Sequence, residues 1–248
     1  MANWNDPQSS RTDFGASPSL NGGAVRQAAG YDQGLRRYML SIYNYMASGV
    51  LLSGLVALIT ASSGLGAVVF GTPLRWVVAL APLGIVMAMS MGLNRMRTST
   101  LQTLFWTFSV LMGLSLSAIF MVYTGPSIAL TFFATAASFA GLSLVGYTTK
   151  RDLSGFGTFL TMGVIGLLVA MIVNMIWPMP GLSLAISLLG VLIFAGLTAW
   201  DTQNLKQAYW QVAGTEFAGK VVIMGALQLY LDFINMFQFL LSFLGDRR

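Results

Sequence analysis

Long stretches of this chain carry no charged residue, and these stretches indicate where its helices lie. Uncharged segments cover residues 38–74, 76–94, 98–149 and 153–200. A helix that spans a bilayer needs about 20 predominantly apolar residues. The first two segments are therefore long enough for one helix each, and the last two are long enough for two helices each.

Glycine and proline clusters divide the longer segments, because both residues interrupt helices. The breaks are "YTGPS" at 123–127 and "WPMPG" at 177–181, and a glycine-rich loop is predicted at 62–73. The first helix is predicted from about Met39 to Ala61, and the last from about Lys220 to Leu244. The pattern thus predicts an all-α, polytopic membrane protein with seven spanning helices.

The start of the chain has a different composition. Residues 1–30 are rich in Ser, Gly, Asn and Ala and show no apolar periodicity, which is typical of disordered segments. We predict a disordered cytoplasmic tail over residues 1–36 and a seven-helix domain over residues 37–248.

Composition supports the membrane assignment and excludes several kinds of chemistry. Charged residues make up 8% of the chain, against about 25% in a soluble domain. The chain has no cysteine and no histidine, which excludes disulfides, haem ligation, histidine-based zinc sites and Ser-His catalysis. We expect a protein that is not an enzyme, has no resident cofactor and binds no nucleic acid.

The basic residues predict the orientation, because cytoplasmic loops of membrane proteins are enriched in Lys and Arg. With the N-terminus in the cytoplasm, the residues inside are Arg11, Arg26, Arg36, Arg37, Arg95, Arg97, Lys150, Arg151, Lys206 and Lys220. The residues outside are Arg75, Arg247 and Arg248. The last helix either crosses the membrane and leaves two arginines outside, or is re-entrant.

One aspartate stands in the middle of an apolar run, in "LQLYLDFINMF" at 227–237. A charge at that depth costs about 2.5–3.5 kcal/mol on insertion scales, so Asp232 should face the bundle interior. Gln228, Asp232 and Asn235 share one helix face at i, i+4 and i+7. This polar face indicates an ion pathway or, as the alternative, a structural hydrogen-bond network.

Asp201 ends the apolar run of the sixth helix and, taken alone, is typical of an interfacial residue. At about 1.5 Å per residue, Asp201 lies about 8 Å from Lys206, and Asp232 lies about 18 Å from Lys220. If both lysines mark the inner surface, the two carboxylates lie at different depths. Spacing alone therefore does not establish that the two aspartates meet.

Four segments carry a resemblance to a known family. "LYLDFINMFQFLL", "AWDTQNLK", "GYTTKRDLSGFGTFLTMG" and "WTFSVLMGLSLS" resemble the Bax inhibitor family (the transmembrane Bax inhibitor motif group), including its bacterial YccA-type members. The resemblance covers roughly residues 35 to 245. It implies a seven-helix bundle with the last helix near its centre, in a multi-pass bacterial inner-membrane protein.

The resemblance also implies a function. Family members are similar in forming a pH-sensitive calcium leak that is gated by an aspartate pair from helices 6 and 7. On this chain that pair is Asp201 and Asp232, which would also bind calcium weakly, with Arg95 as a latch on the pair or, alternatively, as a simple membrane anchor. Helix 2 carries no acid over residues 76–94, unlike some members.

In the expected mechanism the two carboxylates share a proton, and acidification loosens their attraction to Arg95. The expected partners are the lipid bilayer, calcium ions and protons. Two other functions are compatible with the sequence. YccA-type relatives are similar to proteins that bind and restrain a membrane-bound protease, and the tail would then contact that partner. A proton-coupled transporter would also use embedded aspartates.

Overall fold

A computed structural model describes the backbone of residues 20–248, together with the side chains from residue 33 onward except residue 67. The helices of this range are α1 (Leu20–Ser62), α2 (Leu65–Gly71), α3 (Leu74–Gly92), α4 (Thr98–Leu116), α5 (Ile119–Val122), α6 (Gly125–Thr148), α7 (Ser154–Ile176), α8 (Pro180–Val212) and α9 (Phe217–Leu244).

Seven helical segments of the described range are long and apolar enough to cross a membrane. They lie in α1, α3, α6, α7, α8 and α9, and α4 and α5 together form the remaining one. Helix α6 begins at Gly125, and α8 begins at Pro180. The all-α class, the number of spans and both predicted breaks are therefore confirmed.

Helix boundaries differ from the prediction in two places. The glycine-rich segment 62–73 contains the short helix α2. Helix α1 begins at Leu20, within the segment 1–36 for which the sequence predicts a disordered tail. Residues 20–36 include nine Ala, Gln, Leu and Arg residues, which favour helix, together with four glycines, which do not. Residues 1–19, and with them most of the segment proposed to contact a protease, lie outside the described residues.

Helix α9 is the central helix of the bundle, as predicted. It packs against α1, α4, α6 and α8. In its most apolar stretch 50% of the residues are buried, against 11–39% in the other spans. Polar side chains on such a helix can face the bundle interior instead of lipid.

Contacts at its two ends show that α9 runs through the whole bundle. At one end Lys220 Nζ donates to the carbonyl oxygen of Leu93 (3.3 Å). At the other end the backbone N–H of Arg248 donates to Val122 O (2.9 Å), and that of Thr124 donates to Asp246 O (3.1 Å). Of the two alternatives for the last helix, the structure therefore has the crossing one.

The basic side chains gather at one end of the bundle. Spans alternate in direction, so one end of the bundle contains the start of the first span and the α3–α4, α6–α7 and α8–α9 connections. We call it the basic end, and its residues are Arg36, Arg37, Arg95, Arg97, Lys150, Arg151, Lys206 and Lys220. The far end carries Arg75, Arg247 and Arg248.

Two glycines allow close packing on α8 beside Asp201. A Cβ atom on Gly146 of α6 would lie 2.1 Å from the carbonyl oxygen of Ala199. A Cβ atom on Gly157 of α7 would lie 2.0 Å from the indole ring of Trp200. Small residues at such positions let membrane helices approach closely, so these glycines fix how α6 and α7 hold α8.

Substitution at Gly146 tests this packing. Gly146→Ala should lower the thermal stability of the purified protein, since the methyl group would meet a backbone carbonyl, and overpacking costs about 1–3 kcal/mol. Gly141→Ala in the same helix is the matched control, because no atom lies within 4 Å of its Cβ position. Equal melting temperatures for the two variants in detergent would contradict the proposed close approach.

Candidate functional site

Asp201 on α8 and Asp232 on α9 lie side by side in the bundle interior. The side chains are only 3% and 5% exposed, and their carboxyl groups are close enough to interact directly with each other. The structure thus brings together the two aspartates for which sequence spacing did not establish contact.

The α8–α9 hairpin explains the contact. The two helices are antiparallel and are joined by residues 213–216, where Gly214 adopts a positive φ of 78°. Asp201 lies twelve residues before this connection, and Gln228 lies twelve residues after it. Gln228 therefore faces Asp201 and lies close enough to interact with its carboxyl group. Asp232 lies one helical turn further along α9.

Counting residues from the α8–α9 connection also explains why the spacing to Lys206 and Lys220 placed Asp201 and Asp232 at different depths. Lys206 lies seven residues before the connection, whereas Lys220 lies only four residues after it. The two lysines therefore do not mark one level. The remaining offset between Asp201 and Asp232 is about 6 Å, one turn of helix, which two facing side chains can bridge.

A polar stripe on α9 continues beyond the predicted residues. Gln228 is exposed, and Asn235 is half-buried. Gln238 and Ser242 extend the same face at i+10 and i+14 from Gln228. The sequence analysis missed these two residues, although the same helical spacing points to them.

The far part of this stripe lines a cavity of about 480 Å³ between α7, α8 and α9. Its polar lining residues are Asn174, Ser183, Ser187, Asn235, Gln238, Ser242 and Arg247. Ser187 donates to Ser242 (2.9 Å), and Asn174 donates to Ser183 (2.9 Å). The cavity therefore extends from Asn235, three residues beyond Asp232, to the far end of the bundle.

The residues that follow Asp201 hold α8 in place. The Thr202 hydroxyl lies 2.9 Å from that of Ser143 on α6, which also contacts the hydroxyl of Tyr43 on α1. Gln203 donates to Arg151 O (2.8 Å) and accepts from the N–H of Leu153 (2.9 Å). These bonds set the rotation of α8 and so direct Asp201 toward α9.

The loop between α6 and α7 also carries an acid, outside the spans. Asp152 is exposed and accepts hydrogen bonds from the hydroxyl (2.6 Å) and the backbone N–H (2.9 Å) of Ser154. Both bonds favour the charged form and lower the pKa of the Asp152 carboxyl. The two bonds hold Asp152 against Ser154, the first residue of α7.

The structure does not bring the predicted latch, Arg95, to the aspartate pair. Its side chain is exposed in the connection after α3. Arg95 lies two residues after Leu93, whose carbonyl oxygen accepts a hydrogen bond from Lys220 Nζ. Lys220 is twelve residues, or about 18 Å, from Asp232 along α9. Over the side chains that the structure describes, neither aspartate forms an ion pair. One oxygen of each, Oδ1 of Asp201 and Oδ2 of Asp232, is buried without a hydrogen-bond partner.

The oxygen ligands around the pair are few. Within residues 33–248 no three Asp, Glu, His or Cys side chains come together as a metal site. Both oxygens of two carboxyls and one oxygen of each amide, from Gln228 and Asn235, give at most six oxygens, the lower limit of the six to eight that calcium prefers.

Comparison with known proteins gives a consistent family assignment. A family model described as "Inhibitor of apoptosis-promoting Bax1" matches residues 35–248. The uncharacterized protein RP147 of Rickettsia prowazekii is 47% identical over 219 residues, which cover 88% of this chain and 93% of the relative. An uncharacterized protein of Caulobacter vibrioides is 47% identical over 247 residues, covering 95% of this chain and 99% of the relative.

A third relative has a stated location. The inner membrane protein YbhL of Escherichia coli is 43% identical over 219 residues, covering 87% of this chain and 94% of the relative. The family and these names indicate no class of enzyme. With seven spans, a central last helix and a family match over residues 35–248, the chain belongs to the Bax inhibitor family of integral membrane proteins.

Proposed function

We propose that this protein is a pH-sensitive leak for calcium ions, controlled by the proton that Asp201 and Asp232 share. The observation that carries the proposal is the contact between two buried carboxyl groups with no cationic partner among the described residues. Intramembrane acids are costly and commonly mark ion or proton pathways.

Electrostatics explains how the pair would respond to pH. Two carboxylates in contact repel each other strongly where the dielectric constant is low, and a shared proton removes that repulsion. The proton then belongs to the pair rather than to either residue. A change in pH alters the charge of the pair and hence its attraction for a divalent cation.

Access to the pair supports the same function. Toward the basic end, the exposed Gln228 contacts Asp201. Toward the far end, Asn235 lines the cavity that ends near Arg247. An ion moving along α9 would meet a polar group on successive turns, and the small number of ligands would let it leave again.

In this proposal Arg95 acts as a latch in a second conformation. Helix α3 packs mainly against α4, and Arg95 is exposed in the present arrangement. Movement of α3 toward the aspartate site would bring the Arg95 guanidinium group closer to the carboxyl pair, and deprotonation of the pair would favour that contact. The shared proton would therefore decide which conformation is populated.

Neutralising the pair tests the proposed switch. In proteoliposomes, Asp232→Asn should change calcium uptake several-fold and abolish its dependence on pH, because no shared proton remains. Asp201→Asn should have the same effect, and the double variant should add little to it, as expected for groups that act as a unit. Uptake is measured with an internal calcium dye over a pH series.

Asp152→Asn is the control for that experiment, since it removes an exposed carboxylate outside the spans. It should retain the pH dependence of the parent protein. Calcium uptake that is the same for the parent and Asp232→Asn at every pH, with both folded by circular dichroism, would refute the leak mechanism.

Cysteine labelling tests the far half of the pathway, and the chain suits it because it has no native cysteine. Gln238→Cys should react with water-soluble methanethiosulfonates added from the far side. Val169→Cys is the control, since Val169 is 56% exposed on α7 but does not line the cavity. Equal, slow labelling of both positions would show that the cavity is not hydrated.

The charge of the reagent adds a second prediction. Arg247 lines the cavity and should attract anions there. The ratio of the labelling rates of an anionic and a cationic reagent should therefore be several-fold higher for Gln238→Cys than for free cysteine. Adding Arg247→Gln should remove this preference, whereas Arg248→Gln should keep it. An unchanged preference in the Arg247→Gln background would place the arginine away from the pathway.

A further inference from the structure

A second large cavity lies on the opposite side of α9, between α1 and α6. Both helices pack against α9, but α1 otherwise packs mainly on α4, and α6 packs mainly on α8. The gap between them is a groove of about 700 Å³, which we call the α1–α6 groove. Its floor includes Phe233 of α9.

The groove is long enough for an acyl chain. On α1 its lining extends from Arg36 to Leu51, and on the antiparallel α6 it extends from Tyr147 to Phe132. Each stretch rises about 22 Å along its helix, whereas one leaflet contributes about 15 Å of hydrocarbon. Apart from Arg36 and the hydroxyls of Tyr43, Ser143 and Tyr147, the lining is apolar.

The two ends of the groove differ in charge. Arg36 lines it at the basic end, beside Tyr147. Lys206 Nζ lies 5.0 Å from the centre of the Tyr147 ring and donates to the Tyr147 carbonyl oxygen (2.8 Å). The opposite end has only apolar lining, including Leu51 and Phe132. The charge distribution therefore fits a long apolar molecule with an anionic group at one end.

We propose that the α1–α6 groove binds an anionic phospholipid from the leaflet on the basic side of the bundle. The phosphate group contacts the Arg36 guanidinium, which can donate two parallel hydrogen bonds to phosphate oxygens. One acyl chain lies along the groove between Met39 and Phe139. This inference does not rest on the proposed calcium leak.

Such a lipid would lie next to the aspartate site. Tyr43 and Ser143 line the groove and contact each other across it. Ser143 is in turn 2.9 Å from Thr202, which directly follows Asp201. The lipid therefore covers the hydrogen-bonded chain that joins α1, α6 and α8, and its binding stabilises their relative position.

The charge requirement is tested by lipid retention. The purified protein is stripped of lipid, incubated with equal amounts of phosphatidylglycerol and phosphatidylcholine, and analysed by native mass spectrometry. The parent protein should retain phosphatidylglycerol in several-fold excess. Arg36→Gln should remove that excess, whereas Arg37→Gln, the exposed neighbour that does not line the groove, should keep it.

A groove-filling variant tests the position of the acyl chain. Ala140 is exposed and lines the groove, whereas Ala137 is exposed on the same helix outside it. Ala140→Trp should abolish retention of phosphatidylglycerol and its stabilising effect on the melting temperature. Ala137→Trp should retain both. Because both side chains are exposed, neither substitution disturbs the buried core.

Three results would overturn the proposal. The first is equal retention of phosphatidylglycerol by Arg36→Gln and the parent protein. The second is retention by Ala140→Trp at the level of Ala137→Trp. The third is occupation of the groove by protein instead of lipid. A second copy of the chain in the groove would appear as a dimer that dissociates in Ala140→Trp. Residues 1–19 in the groove would appear as lipid retention that is found only after these residues are deleted.

Discussion

Burial of two carboxyl groups against each other is the interaction on which the site depends. Little water reaches them there, since the side chains are 3% and 5% exposed, and the described side chains provide no cation, so they require a protein-lined environment. Inside a bilayer that environment is offered by helix faces that point into the bundle, and α9 is the span with the largest buried share. The central position of α9 is therefore the structural condition for placing Asp232 at mid-membrane.

The packing around α8 follows from the same condition. Asp201 meets its partner only if α8 keeps one rotation and one height relative to α9. Gly146 and Gly157 allow α6 and α7 to approach closely, and Thr202 and Gln203 fix the rotation through hydrogen bonds to neighbouring segments. The segment "AWDTQNLK" is thus a support for one carboxyl group as much as a sequence signature.

The two sides of α9 have different chemistry. One side carries the polar stripe from Gln228 to Ser242 and a cavity with Arg247 near the far end. The other side supports the apolar α1–α6 groove with Arg36 at the basic end. The proposed ion pathway and the proposed lipid site would therefore share one central helix without competing for space, and the contact between Ser143 and Thr202 lies between them.

The sequence by itself determined the features that depend on local pattern. Charge-free segments of sufficient length specify seven spans, Gly and Pro at 123–127 and 177–181 end helices, and helical spacing places Gln228, Asp232 and Asn235 on one face. It did not determine that Asp201 contacts Asp232, that Arg95 lies far from both, or that α9 crosses completely. These depend on the register of the α8–α9 hairpin and on the contacts of Lys220 and Arg248, which arise from packing between distant segments. Hydrophobic pattern limits which face of a helix is buried, but only tertiary packing decides which residues meet there.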